Sequence, residues 1–126
     1  MQSTGRAESY VAFGTTTVSV EIASTSAEQE QGLSGRTSLA EGSGMLFVFP
    51  DGSQPGFWMK GMNFSLDIIF ITSSGKVITI DRDLAPDTYP QAFYPSGPIR
   101  YALEVPAGFA AAHTIEEGSM AEVHII

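Results

Sequence analysis

The chain has 126 residues, room for one domain with one core because domains run about 100–200 residues, and a second folded unit is excluded. A hydrophobic content of 43% excludes disorder as the default state, and the absence of cysteine excludes disulfides, thiolate zinc sites and cysteine nucleophiles. Six basic residues against 14 acidic ones give a net charge of −8, which offers no electrostatic footprint to nucleic acid or to an anionic membrane face.

In chain order, residues 1–14 are expected as a polar lead-in, or as the stub behind a removed export signal, with a single domain over 15–126. From Thr17 to Ile22 polar and apolar residues alternate, which predicts a half-buried strand. Thr25 with Glu28 three positions on forms a capping box, and Gly32 supplies a stop, so a helix is predicted at Ser26 to Gln31. "GMLFVFP" (Gly44 to Pro50) and "GFWMK" (Gly56 to Lys60) are apolar runs bounded by Gly and Pro and predict two further strands. Leu66 to Ile71 and Lys76 to Ile80 are β-branched runs joined by "TSSG" (Thr72 to Gly75), a connection of hairpin length and chemistry. "YALEV" (Tyr101 to Val105) and "MAEVHII" (Met120 to Ile126) add two strands, and "AGFAAAH" between them predicts a helical turn. The longest apolar runs fall far short of the ~20 residues of a membrane-spanning helix, so no membrane insertion by this chain is expected. About seven short strands with one short helix point to a mainly-β fold, an antiparallel β-sandwich or barrel rather than an α/β fold.

Asp81 to Pro98, "DRDLAPDTYPQAFYPSGP", holds four of the seven prolines and is too long for an ordinary connection. Its aromatic residues Tyr89, Phe93 and Tyr94 argue against disorder. Two readings stay open: a structural cover for one end of the sandwich, or a ligand-facing lid.

Metal sites need clustered ligands, yet His113 and His124 stand alone; Asp81, Asp83 and Asp87 lack the glycine and closing glutamate of a calcium loop. No metal and no cofactor is assigned. "GLSG" misses the nucleophile-elbow spacing by one residue, and phosphate-binding glycine loops are absent. Asp67 and Glu104 would suit a glycosidase pair only at the right separation, which strand membership does not fix. What stands out is charge within apolar runs: Lys60, Asp67 and Glu104, with Arg36 after the helix. Charges are seldom buried in strands unless paired, so these residues form either salt bridges at the sheet rim or a polar pocket beside Trp58.

The runs "EQGLSGR" (Glu30 to Arg36), "GMLFVFP", "FWMKGMNFSLDIIFI" (Phe57 to Ile71), "YPSGP" (Tyr94 to Pro98) and "YALEVPAG" (Tyr101 to Gly108) follow one another in the order of domain of unknown function 192, and the chain resembles this uncharacterised family from about Val18 onward. The resemblance implies a small jelly-roll-like sandwich, often exported, with no established activity or cofactor. The residues that match its pattern are Arg36, Trp58, Lys60, Asp67 and Glu104; Gly61, Ser65 and Gly118-Ser119 depart from it.

Two functions follow. The first is a non-enzymatic cell-envelope binding module for a small polar or carbohydrate-like ligand, held by Trp58, Tyr94 and neighbouring aromatic rings beside Arg36, Lys60, Asp67 and Glu104. The second is a hydrolase or lyase with Asp67 or Glu104 as general base and Lys60 or Arg36 as electrostatic stabiliser. An ion pair between Lys60 and Asp67 and convergence of all five charged or aromatic positions beneath the Asp81 to Pro98 loop are expected. Partners are then a small molecule or glycan and no nucleic acid, and the location is extracytoplasmic.

Overall fold

The run LDIIFI, apolar at five of its six positions, forms a strand (β4, Leu66–Ile71) that is buried along its whole length. Such a strand must be covered on both faces, and the architecture around it does this. The computed structural model describes residues 8–126. Around β4 lie β1 (Tyr10–Phe13), β2 (Thr16–Ala23), β3 (Ser43–Ser53), β5 (Val77–Leu84), β6 (Ile99–Pro106) and β7 (Glu122–His124), with α1 (Ser26–Gln31) after β2 and α2 (Phe109–Ala112) after β6. The seven strands make one sheet in the order β5-β4-β6-β3-β2-β1-β7.

The sheet is mixed, which corrects the antiparallel expectation. β2 and β3 run parallel, from Ser19 opposite Ser43 to Ala23 opposite Phe47, while the other named pairs are antiparallel. A parallel pair needs a crossover, and the capped helix α1 with the loop behind it provides one. The expected jelly-roll sandwich is corrected as well: a single curled sheet, a half-barrel, takes its place. At the open side, Val77 N–H donates to the Ser119 carbonyl at 2.9 Å and Ala121 N–H to that of Gly75 at 2.7 Å, drawing the β5 edge toward the segment that enters β7.

Strand alternation divides the apolar residues into two layers. Val11, Val18, Leu46, Ile69, Ile71, Leu103 and Val105, joined by Phe109 of α2, fill the inside of the curl. Phe47, Leu66, Ile68, Phe70 and Ala102 face the other way, beneath Leu33, Met59 and the partly buried Phe57, Met62, Phe64 and Phe93. The segment GFWMK, expected as a strand, is irregular apart from a bridge between Phe57 and Phe93. Met59 and the partly buried Phe57 pack against the outer face of the sheet rather than joining a ladder, while Trp58 is left exposed.

The hairpin of β4 and β5, its Thr72 to Gly75 turn and the helix at Ser26–Gln31 are as expected. Tyr10–Phe13 is a strand within the stretch expected as a lead-in, because YVAF buries Val11 and Phe13; residues 1–7 of that stretch lie outside the described residues. β5 continues through Leu84, so the long loop starts later than the sequence suggests.

Candidate functional site

On β6 the alternation that sends Leu103 and Val105 into the inner core turns Glu104 to the outer face. Its cross-strand neighbours are Met45 of β3 and Ile68 of β4, neither of which carries a hydrogen-bond donor on its side chain. Glu104 is 6% exposed. Among the described residues nothing donates to its carboxyl, and burial alone pushes its pKa up to about 8. At neutral pH the group is therefore an uncharged acid, the form that an apolar site favours.

Glu104 lines a cleft of about 550 Å³. One wall is the end of α1 and the turn after it, Gln29 to Ser34; the other is the irregular segment through Phe57, Trp58 and Lys60; Phe47 and Phe49 of β3 complete the lining. The sequence folds locally to make both walls. Thr25 Oγ1 accepts from Glu28 N–H at 3.1 Å and Glu28 Oε1 accepts from Thr25 N–H at 3.1 Å, which fixes the start of α1. The Gln29 amide then donates to the carbonyls of Ala23 and Val48, tacking the helix onto the sheet. The walls are joined at one end, where Ser34 Oγ donates to the Lys60 carbonyl at 2.7 Å and Gly35 N–H to that of Gly61 at 2.9 Å. Gly61 has φ 72°, a left-handed conformation that glycine adopts without steric cost, and it shapes this turn.

The long loop buttresses the second wall. Phe57 and Phe93 exchange backbone hydrogen bonds of 2.9 and 2.7 Å, and a Cβ on Gly56 would meet the Tyr94 ring at 2.6 Å, so glycine lets that ring rest against the backbone. Tyr89 meets Trp58 edge-on with ring centroids 5.0 Å apart. Trp58, which lines the cleft, and Tyr94, which rests against Gly56 beside it, are 50% and 62% exposed. Lys60 Nζ sits 5.5 Å from the Trp58 ring centroid, a cation–π contact.

Of the residues expected to converge, Trp58, Lys60 and Glu104 line this cleft, and Tyr94 stands beside it on Gly56. Asp67 does not. It points to the inner face, where Oδ1 accepts from Asp83 N–H at 2.8 Å and Gly108 N–H at 3.2 Å and Oδ2 from Ala110 N–H at 3.0 Å. The expected Lys60–Asp67 ion pair is corrected accordingly: backbone amides at the start of α2 and on β5 compensate Asp67. A glycosidase pairing of Asp67 with Glu104 fails for the same reason, since the sheet lies between them. Arg36 turns to Glu21 in a two-pronged salt bridge of 2.6 and 2.8 Å, partly exposed on both sides.

Sequence reasoning missed Gln29, Glu30, Ser34, Phe47 and Phe49 as cleft residues. The capping box was a usable signal, because a helix that starts at Ser26 carries its end back over the strand it follows. Among the described residues no group of three His, Asp or Glu side chains is placed to hold a metal. Asp81 and Glu117 do approach each other, and burial and then the Glu117 charge raise the Asp81 carboxyl above its ordinary range.

No curated protein matches the chain. It is similar to the crystal structure of a candidate transcription regulator from Sinorhizobium meliloti 1021, with a TM-score of 0.85 and 31% identity over 93% of this chain and 94% of that one. It is similar also to a protein of unknown function from Novosphingobium aromaticivorans DSM 12444, with a TM-score of 0.84 and 32% identity over 90% of this chain and 83% of that one. The model of DUF192, described as an uncharacterized ACR, matches residues 10–123. The chain belongs to the DUF192 family.

Proposed function

We propose that the protein is a small-molecule binding module whose site is the cleft between α1 and the Phe57 to Met62 segment. One observation carries this reading: a buried carboxyl with no partner among the described residues opens into a cleft lined by aromatic rings. Binding sites of this kind combine apolar walls with a few polar groups that fix orientation, and Glu104 supplies such a group. Trp58, Tyr89 and Tyr94 extend the apolar surface to the mouth, where a flat ring such as a sugar would stack. Arg36 and Asp67 are not part of the site, because each is already engaged elsewhere.

The Sinorhizobium neighbour raises a nucleic-acid reading. A net charge of −8 and a cleft with one cationic side chain, Lys60, give that reading little support. An acid–base role for Glu104, with Lys60 as stabiliser, is a second reading that its pKa of about 8 favours, since such a group gives and takes protons near neutrality. An extracytoplasmic location belongs to the proposal too. It rests on the absence of cysteine and the habits of the family, and recovery of the full gene product only from cytosol would remove it.

The test is a panel of small sugars, amines and carboxylic acids screened by chemical-shift mapping on labelled protein. Binders should perturb Phe57, Trp58 and Glu104, and Trp58→Ala should abolish those shifts with little loss of stability. Binders that perturb only other surfaces would contradict the assignment.

A further inference from the structure

The empty hydrogen-bonding capacity of Glu104 says what kind of ligand completes it. Side-chain donors that line the cleft are directed elsewhere, and among the described residues none reaches Glu104: both N–H groups of the Gln29 amide go to the Ala23 and Val48 carbonyls, one of the Gln31 amide to the Ser34 carbonyl, and the Ser34 hydroxyl to the Lys60 carbonyl. Lys60 carries its charge over the Trp58 ring. β3 and β4 contribute only Met45 and Ile68 beside the carboxyl. Glu30 and Lys60 are the other ionisable groups that line the cleft, Glu30 from the α1 wall and Lys60 from the opposite one. Phe47 and Phe57, in edge contact at 5.0 Å, and Phe49 present aromatic surface to the same space.

We propose that the ligand class of this cleft is an organic ammonium ion, its N–H groups filling the vacant acceptors of Glu104 and its carbon skeleton lying among Phe47, Phe49 and Phe57. The inference rests on the binding-module reading and deepens it. An ammonium ion brings the donors that Glu104 lacks among the described residues and the opposite charge that stabilises a buried carboxylate. Aromatic walls favour a cation over a neutral isostere, and the net negative charge of the chain draws cations toward it.

Proton balance gives the proposal a signature. With a carboxyl pKa of about 8, Glu104 is about nine-tenths protonated at pH 7 in the free protein. Pairing with an ammonium ion requires the carboxylate, so the carboxyl proton leaves to buffer while the ligand keeps its own. A neutral ligand that accepts a hydrogen bond from the acid form releases no proton.

The experiment is calorimetric titration at pH 7 with phenethylammonium and its neutral counterpart 2-phenylethanol, each in two buffers of different ionisation enthalpy, with methyl glucoside as a third probe. Phenethylammonium should bind with release of close to one proton, at least tenfold tighter than 2-phenylethanol. Glu104→Gln, near-isosteric and checked for unchanged secondary structure, should lose both the proton release and at least tenfold in affinity. Cleft binding of 2-phenylethanol or methyl glucoside equal to or tighter than that of the amine, without proton release, would overturn the ammonium assignment and leave the binding module standing. Failure of all three probes to bind in the cleft would overturn the ammonium assignment and count against the module as well.

Discussion

Asp67 and Glu104 stand on neighbouring strands of one sheet, both largely buried, and they are accommodated by opposite means. On the inner face three backbone N–H groups converge on Asp67, tying β4 to the bulge of β5 and to the first turn of α2. On the outer face Glu104 receives no donor from the described residues, and burial holds it protonated. A buried acid that is saturated with donors holds its surroundings together; a buried acid left without them stays chemically available. The difference separates a structural group from a site, although both residues look alike as single charges within apolar runs.

The largest effect should come from the saturated acid. Asp67→Ala strands three amides at once, and we expect a loss of about 3–5 kcal/mol in urea unfolding, with the amides of Gly108 and Ala110 losing hydrogen-exchange protection. A loss below about 1 kcal/mol would show that the two acids do not differ in this way.

Glu104 should act through pH. Its carboxyl titrates near the ordinary 4.5 in the unfolded chain and near 8 in the folded protein, so between these values the folded state holds the extra proton. Stability from this group is complete below about pH 4.5 and falls as pH rises to about 8, by at most about 1.4 kcal/mol per unit. Glu104→Gln should flatten that slope in denaturant midpoints measured from pH 5 to 8. Asp81, whose carboxyl is also raised, should add a fall of the same sign that starts above its ordinary 3.8, and Asp81→Asn should remove that part.

Smaller changes sharpen the contrast at the rim of the cleft. Thr25→Ala removes the capping box, and about 1 kcal/mol should be lost, with exchange broadening at Gln29 to Ser34 as the α1 wall loosens. Arg36→Ala breaks only the exposed pair with Glu21 and should cost about 0–1 kcal/mol, leaving cleft chemical shifts in place.

Local chemistry was legible in the sequence to the residue. The capping box of Thr25 and Glu28 fixed α1, and "TSSG" fixed the hairpin turn, because each depends on contacts within four residues. Long-range pairing was not legible. The parallel partnership of β2 with β3 depends on where the chain lands after its crossover, and no residue near Val20 or Leu46 records it. Glu104, Trp58 and Lys60 were visible as site candidates because their chemistry is out of place in apolar runs. Alternation assigns faces within one strand but not between strands, so nothing in the sequence separated Asp67 from Glu104.

The contrast between the two acids turns on the protonation state of Glu104, and isotope-edited carbonyl spectroscopy of glutamate-labelled protein, with Glu104→Gln subtracted, measures it directly. A protonated carboxyl band that persists through pH 7 and disappears around pH 8 is the result expected. Ionisation of Glu104 near its ordinary 4.5 would mean that donors from the protein or from water in the cleft already satisfy it, and the distinction between the two acids would fall.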